Sequence, residues 1–110
     1  LLVMEALQPK MVDMLNEVAQ KVGRTNTAKI MGDIPSYHTS PEDAAKIAAQ
    51  AGVGHLLLTH ILPPLPVAEL KPAFLGKAQK IFKGPLTIGE DGMLFSLPAG
   101  TQKIQRKWLL

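Results

Sequence analysis

Residues 37–60 read YHTSPEDAAKIAAQAGVGHLLLTH, and this stretch decides the fold of the chain. It predicts a helix, because Thr39 and Ser40 are good N-caps and a proline at position 41 is well tolerated in a first helical turn. Gly52 is a natural stop for that helix. The expected buried face has small and aliphatic side chains at helical spacing, at Ala44, Ile47, Ala48 and Ala51.

A short apolar run follows the helix and predicts a strand. Residues 56–58 are all leucine, as expected for a strand that is buried on both faces. His60 is expected where this strand ends, and the carboxyl ends of strands are where α/β sheets place active-site loops. His38 precedes the helix and lies near its amino terminus, which favours anions. The pattern therefore predicts two imidazoles on one rim of a sheet.

The rest of the chain predicts an α/β fold in the order strand, helix, helix, strand, helix, hairpin. Apolar residues at Met11, Met14, Leu15, Val18 and Val22 mark the expected core face of the first helix. Beyond the central stretch, we expect a strand at 1–5, a helix at 10–22 and at most a helical turn before Gly32 within 24–37. A helix is expected at 67–82, starting either at Val67 or, because a proline interrupts an early turn, at Pro72. Strands are then expected at 86–88 and 93–97, joined as a hairpin by Glu90-Asp91-Gly92, with a tail at 101–110 without an obvious partner.

Composition limits the class of protein. The 110 residues are 46% hydrophobic and 19% charged, which is typical of one small globular domain. The chain has no cysteine, so any metal site needs histidine and carboxylate ligands, and a reducing, cytoplasmic compartment is expected. The net charge of +3 is mild, and the basic residues lack interleaved aromatic residues, so they indicate a solvated face. No apolar run is long enough to predict a membrane span.

The first residues, Leu-Leu-Val-Met, read as the middle of a buried strand. We therefore expect residues 1–110 to form a single partial domain within a longer polypeptide.

Several pieces of the sequence, taken in order, resemble one family. The family is the metallo-β-lactamase-fold hydrolases, in their C-terminal part, and especially the branch that contains ribonuclease Z and its arylsulfatase-like relatives. The strand that in this family ends in His-Glu-Ala resembles residues 1–6, although Met4 stands where the family often has histidine. The other matching pieces are His38-Thr39-Ser40, the small-residue helix at 44–48, Leu57-Leu58-Thr59-His60, and the turn segment 89–95.

The resemblance implies the C-terminal half of an αββα sandwich. It also implies a hydrolase that attacks a phosphodiester or sulfate ester with water activated by a divalent metal, with zinc as the expected ion. On this reading His60 binds metal, His38 acts near the leaving group, and Glu5 orients His38. From the residues alone, ordinary structural roles remain open: loop pairing for His60, helix entry for His38, and an exposed strand end for Glu5.

The family's His-x-His-x-Asp-His motif, its later metal histidine and its bridging aspartate are absent from the chain. We therefore expect the isolated chain to hold no metal stably and to be inactive, with the substrate, a small-molecule or nucleic-acid ester, bound by the parent protein. The alternative is a noncatalytic structural or interaction module that self-associates, as a homodimer that covers its exposed edges. His55 is expected on the surface, and Tyr37 is expected either to line the pocket or to pack.

Overall fold

The protein forms two small sheets with several short helices, which confirms the α/β class. A computed structural model describes residues 1–110. Its elements are β1 (Leu2–Leu7), α1 (Pro9–Lys21), α2 (Thr25–Asp33), a 3₁₀ turn (Ile34–Tyr37), α3 (Pro41–Ala51), β2 (Leu56–Leu62), a second 3₁₀ turn (Ala68–Leu70), α4 (Lys71–Leu75), α5 (Ala78–Ile81), β3 (Leu86–Ile88), β4 (Met93–Ser96) and β5 (Gln105–Trp108).

The larger sheet has the order β1-β2-β3, and both of its strand pairs are parallel. Leu56 lies between Leu2 on one side and Leu86 on the other. The predicted parallel arrangement of the first strand with the strand near Leu56 is therefore confirmed. The second sheet is an antiparallel pair of β4 and β5.

The core lies between α3 and the larger sheet. The helix is capped as predicted, since Ser40 Oγ accepts a hydrogen bond from the Asp43 backbone at 3.1 Å and Gly52 ends the helix at φ 64°. Its buried face differs from the prediction, because Ile47 is 43% exposed and Ala51 is also exposed. The side chains that α3 buries are small, which lets its backbone approach the sheet closely: Pro41, Ala44, Ala45 and Ala48.

The predicted core face of α1 is wrong in the structure. Met14, Val18 and Val22 are 66%, 55% and 64% exposed, whereas the buried residues of this helix are Val12 and Ala19. Helical periodicity identifies an apolar stripe, but it does not identify the element that covers it. Here α1 packs against α2, and most of the stripe faces solvent.

Residues 24–37 are more helical than predicted. The helix α2 runs through Gly32 to Asp33, and the chain continues directly into the 3₁₀ turn. Pro35 is compatible with this turn because it occupies one of its first positions, where no backbone N–H is required.

The predicted single helix at 67–82 is also wrong, because the structure has a 3₁₀ turn and two short helices there. The break after α4 falls at Gly76, which has φ 55°. A residue with a Cβ is strained at this φ, and its Cβ would also lie 2.4 Å from the Glu42 carboxylate, so that side chain would have to move. This close approach depends on α3 and is invisible in the local sequence.

The predicted hairpin of 86–88 with 93–97 does not form. Ile88 pairs with Leu58 of β2, whereas Leu94 pairs with Lys107 of β5. Residues 101–110, predicted to be a tail without a partner, therefore supply the second strand of the small sheet. No helix is long and apolar enough to cross a membrane.

Candidate functional site

The rim of the larger sheet holds a carboxylate and an imidazole in direct contact. Glu5 lies in β1, and its Oε2 is 2.8 Å from Nδ1 of His38. Its other oxygen, Oε1, accepts a hydrogen bond from the Thr39 backbone N–H at 2.7 Å. The Thr39 carbonyl in turn accepts from the backbone N–H of Leu7 at 2.8 Å. The segment with His38 is thereby fixed along the edge of β1.

The environment of Glu5 favours its ionised form. Partial burial raises the pKa of this carboxyl. Hydrogen bonds from His38 and Thr39, together with the charge of a protonated His38, lower the pKa by more than burial raises it, so the net pKa is below the usual value. An ionised carboxylate only accepts hydrogen bonds, so Nδ1 of His38 carries the proton. This leaves Nε2 as the ring nitrogen that is free for a substrate.

His60 occupies a β-bulge. The register pairs Glu5 with Thr59 and Ala6 with Ile61, so His60 is the extra residue between two regular pairs. Its φ is 46°, the left-handed region that a residue with a Cβ rarely adopts. Bulges next to active sites redirect a side chain, and this one presents an exposed imidazole. The sequence prediction that His60 emerges at the end of its strand is corrected, because β2 continues to Leu62.

The structure brings His38 and His60 together. Their ring centroids are 6.2 Å apart, with an angle of 41° between the ring planes. Tyr37 is also a neighbour of His38, with its ring centroid 5.8 Å away. The two histidines and the carboxylate that sequence analysis selected therefore share one site, although their chemical roles stay predictions.

A cleft of about 360 Å³ opens beside His60. Its wall includes apolar side chains of Leu57, Met93 and Phe95, and its rim carries the carboxylates of Glu90 and Asp91. Lys71 Nζ lies 2.7 Å from Glu90 Oε1, which partly neutralises this acidic rim. The cleft gives room for a small ester next to the exposed imidazole.

The donor set of the site is incomplete for a metal ion. No group of three or more histidine, cysteine, aspartate or glutamate side chains lies close enough together to hold one. His60 fits the role of a single imidazole ligand, and His38 already uses Nδ1 for Glu5. These residues alone do not form a metal centre.

The prediction that His55 lies on the surface is wrong, because the residue is partly buried. Its Nε2 is 2.8 Å from the Thr87 hydroxyl, and its ring meets Phe95 edge-on at 5.4 Å. Burial lowers the pKa of His55, and the positive charge of Arg106 lowers it further. His55 therefore links the two sheets in its neutral form.

Gln8 has a supporting role that was not predicted from the sequence. This side chain is only 3% exposed and donates a hydrogen bond to the Phe74 carbonyl at 2.8 Å. Its oxygen accepts weakly from the Lys10 backbone at 3.4 Å, so Gln8 also caps α1. A polar residue directly before Pro9 indicates a helix cap, but its long-range partner depends on the fold.

Comparison with known proteins gives similarity to ribonuclease Z. A 59-residue segment, 54% of this chain, is 44% identical to ribonuclease Z of Mycolicibacterium paratuberculosis and 44% identical to that of Mycobacterium avium. Over the same length it is 39% identical to ribonuclease Z of Mycobacterium marinum. These similarities support a ribonuclease Z-like relationship. The matched segment spans 21% of each of these three relatives, and no protein-family model matches the chain.

Proposed function

We propose that these residues form the C-terminal part of a metal-dependent hydrolase that cleaves a phosphodiester. The observation that carries this proposal is His38, which is fixed by Glu5 at 2.8 Å and lies with its ring centroid 6.2 Å from that of His60. An oriented imidazole next to a second, exposed imidazole is suited to ester hydrolysis. Similarity to ribonuclease Z supports a nucleic-acid phosphodiester over a sulfate ester as the substrate.

Each residue of the site has one role in this proposal. Glu5 holds the proton of His38 on Nδ1 and stabilises the ring when it is protonated. His38, acting through Nε2, then stabilises negative charge on the phosphate or donates a proton to the leaving oxygen. The leaving oxygen gains negative charge as the P–O bond breaks. A nearby imidazolium stabilises that charge and so lowers the barrier.

His60 would supply one ligand to a divalent metal, zinc in the simplest case. A metal ion of this kind supplies Lewis-acid chemistry for ester hydrolysis when it is bound. Residues 1–110 hold no group of three or more such ligands, so the proposal takes the other ligands from the rest of a longer protein. In this view residues 1–110 are one portion of a metallo-β-lactamase sandwich that the longer protein completes.

The proposal is tested with the full-length protein and with residues 1–110 alone. Both are assayed with zinc on bis(p-nitrophenyl) phosphate, a short RNA and p-nitrophenyl sulfate, with and without a chelator. We expect chelator-sensitive cleavage of both phosphodiesters by the full-length protein and none by the isolated segment. The proposal is contradicted if the full-length protein cleaves neither phosphodiester, or if the isolated segment cleaves either of them.

Self-association is a second candidate function, favoured by the exposed apolar stripe of α1. Met14, Val18 and Val22 expose more than half of their surface at 66%, 55% and 64%, which is unusual for three residues on one helix face. A homodimer that covers this stripe predicts that Val18→Glu shifts the protein to a monomer in sedimentation velocity. A wild-type protein that is monomeric at all concentrations contradicts it.

A further inference from the structure

Tyr37 is an exposed aromatic residue at the edge of the candidate site that the proposed chemistry does not use. Its side chain is 67% exposed, although it is a large ring beside a partly buried histidine. The Tyr37 ring centroid is 5.8 Å from that of His38, which is 6.2 Å from that of His60. The ring of His38 is therefore a neighbour of both Tyr37 and the candidate metal ligand His60.

The backbone around Tyr37 is held on both sides. Tyr37 ends the 3₁₀ turn, which contains Pro35, and the Ser36 hydroxyl donates to the Asp33 carbonyl at 2.8 Å. After His38, the Thr39 backbone is hydrogen-bonded to β1 through both its N–H and its carbonyl. The backbone that carries Tyr37 is therefore held in place before any ligand arrives, which reduces the entropy cost of a contact.

An exposed aromatic ring on a backbone held in place, beside a phosphodiester-cleaving site, fits a nucleobase. Proteins that recognise single-stranded nucleic acid commonly stack unpaired bases on tyrosine and other aromatic side chains. Base and phosphate are joined through one sugar, so a phosphate at His38 brings the adjacent base near Tyr37. We propose that Tyr37 stacks on the unpaired nucleobase next to the scissile phosphate. This inference rests on the proposed function and identifies a specificity residue for it.

The test measures binding directly, so that it does not depend on turnover. The full-length protein is titrated with a short phosphorothioate oligonucleotide that carries 2-aminopurine, and with a matched oligonucleotide that is abasic at the same position. We expect Tyr37→Ala to weaken binding of the first by about 5- to 100-fold, as loss of one stacking contact predicts. Tyr37→Phe keeps the ring and should bind within about twofold of wild type.

The abasic oligonucleotide supplies the decisive control. It should bind wild type and Tyr37→Ala equally, because the contact that Tyr37 makes is missing in both. Equal affinity of wild type and Tyr37→Ala for the 2-aminopurine oligonucleotide overturns the proposal. It is also overturned if Tyr37→Ala weakens binding of the abasic oligonucleotide as much as it weakens binding of the 2-aminopurine one. A lower melting temperature of Tyr37→Ala with unchanged binding also overturns it, because that result assigns Tyr37 to packing.

Kinetics separate this proposal from the function on which it rests. With an RNA substrate, Tyr37→Ala should raise KM with little change in kcat, and with methyl p-nitrophenyl phosphate it should change neither. Failure of the protein to cleave any phosphodiester overturns the proposed function, whereas the binding titration still decides whether Tyr37 stacks on a base.

Discussion

Glu5 and His38 are 33 residues apart in sequence, and their side chains meet at 2.8 Å between Oε2 and Nδ1. The other carboxylate oxygen of Glu5 holds the backbone of Thr39, so one side chain fixes both the ring of His38 and the chain that carries it. The contact therefore determines that Nδ1 of His38 is occupied by Glu5 and that Nε2 is the nitrogen left for a substrate.

The first prediction concerns the tautomer of His38. In wild type, the ionised Glu5 accepts a hydrogen bond from Nδ1–H, which keeps the neutral ring in that tautomer. Glu5→Gln places an amide that can donate at the same position, so the Nε2–H tautomer should gain population. The ¹⁵N chemical shifts of the His38 ring measure this change. Glu17→Gln on α1 is the control, and identical His38 shifts in Glu5→Gln and wild type would contradict the prediction.

The second prediction concerns stability at acidic pH. The pKa of Glu5 in the folded protein is below 4.5, its ordinary value, so on acidification the unfolded state binds a proton first. The contribution of Glu5 is therefore complete above about pH 4.5 and is lost as the pH falls through the folded-state pKa. It should be at most about 1 kcal/mol, because the Glu5 side chain is 34% exposed.

Urea unfolding of wild type and Glu5→Gln between pH 7 and pH 3 measures this contribution. The difference in unfolding free energy between the two proteins should narrow below pH 4.5. A difference that stays constant over the whole range would show that Glu5 has the same pKa in both states.

The third prediction concerns the bulge at His60. A residue with a Cβ at φ 46° is strained, whereas glycine is not. His60→Gly should therefore be more stable than His60→Ala by about 1 kcal/mol in chemical denaturation. Thr59 provides the matched control, because it pairs regularly with Glu5, and there glycine should be less stable than alanine. Equal stability of the two His60 variants argues against a strained bulge.

The fourth prediction concerns His55, the histidine between the sheets. Because burial and Arg106 lower its pKa below 6.5, the unfolded state binds a proton first when the pH falls below that value. The unfolding free energy should therefore decrease below about pH 6.5. Above that pH, His55 should not make the unfolding free energy depend on pH. His55→Gln does not titrate and should remove this decrease. The same slope in both proteins between pH 6.5 and pH 5 would refute the assignment.

Local chemistry was enough to predict some of the fold. Ser40 and Gly52 act within one turn of α3, so its boundaries follow from the sequence alone. The parallel pairing of β1 with β2 also follows, because a helix between two apolar runs favours that connection. The contact of Glu5 with His38 was one of two alternatives: the family resemblance implied it, whereas the residues alone left an exposed strand-end glutamate open.

Features that depend on distant partners were not predictable. His60 is bulged only because Ile61 and Leu62 continue to pair with β1 beyond it. The side chain that approaches Gly76 is Glu42 of α3, and the strand β4 takes its partner from residues 105–108. Patterns of apolar residues identify elements but not their partners, and a strand can exchange a near neighbour for a distant one at small cost.

The most direct test of the central claim is the kcat of the full-length protein on a phosphodiester when His38 is replaced. If His38 stabilises charge or transfers a proton, His38→Ala should lower kcat by about 10²- to 10⁴-fold with little change in KM. Glu5→Gln should lie between this variant and wild type, and His55→Gln should match wild type. A His38→Ala protein with the kcat of wild type would contradict the account.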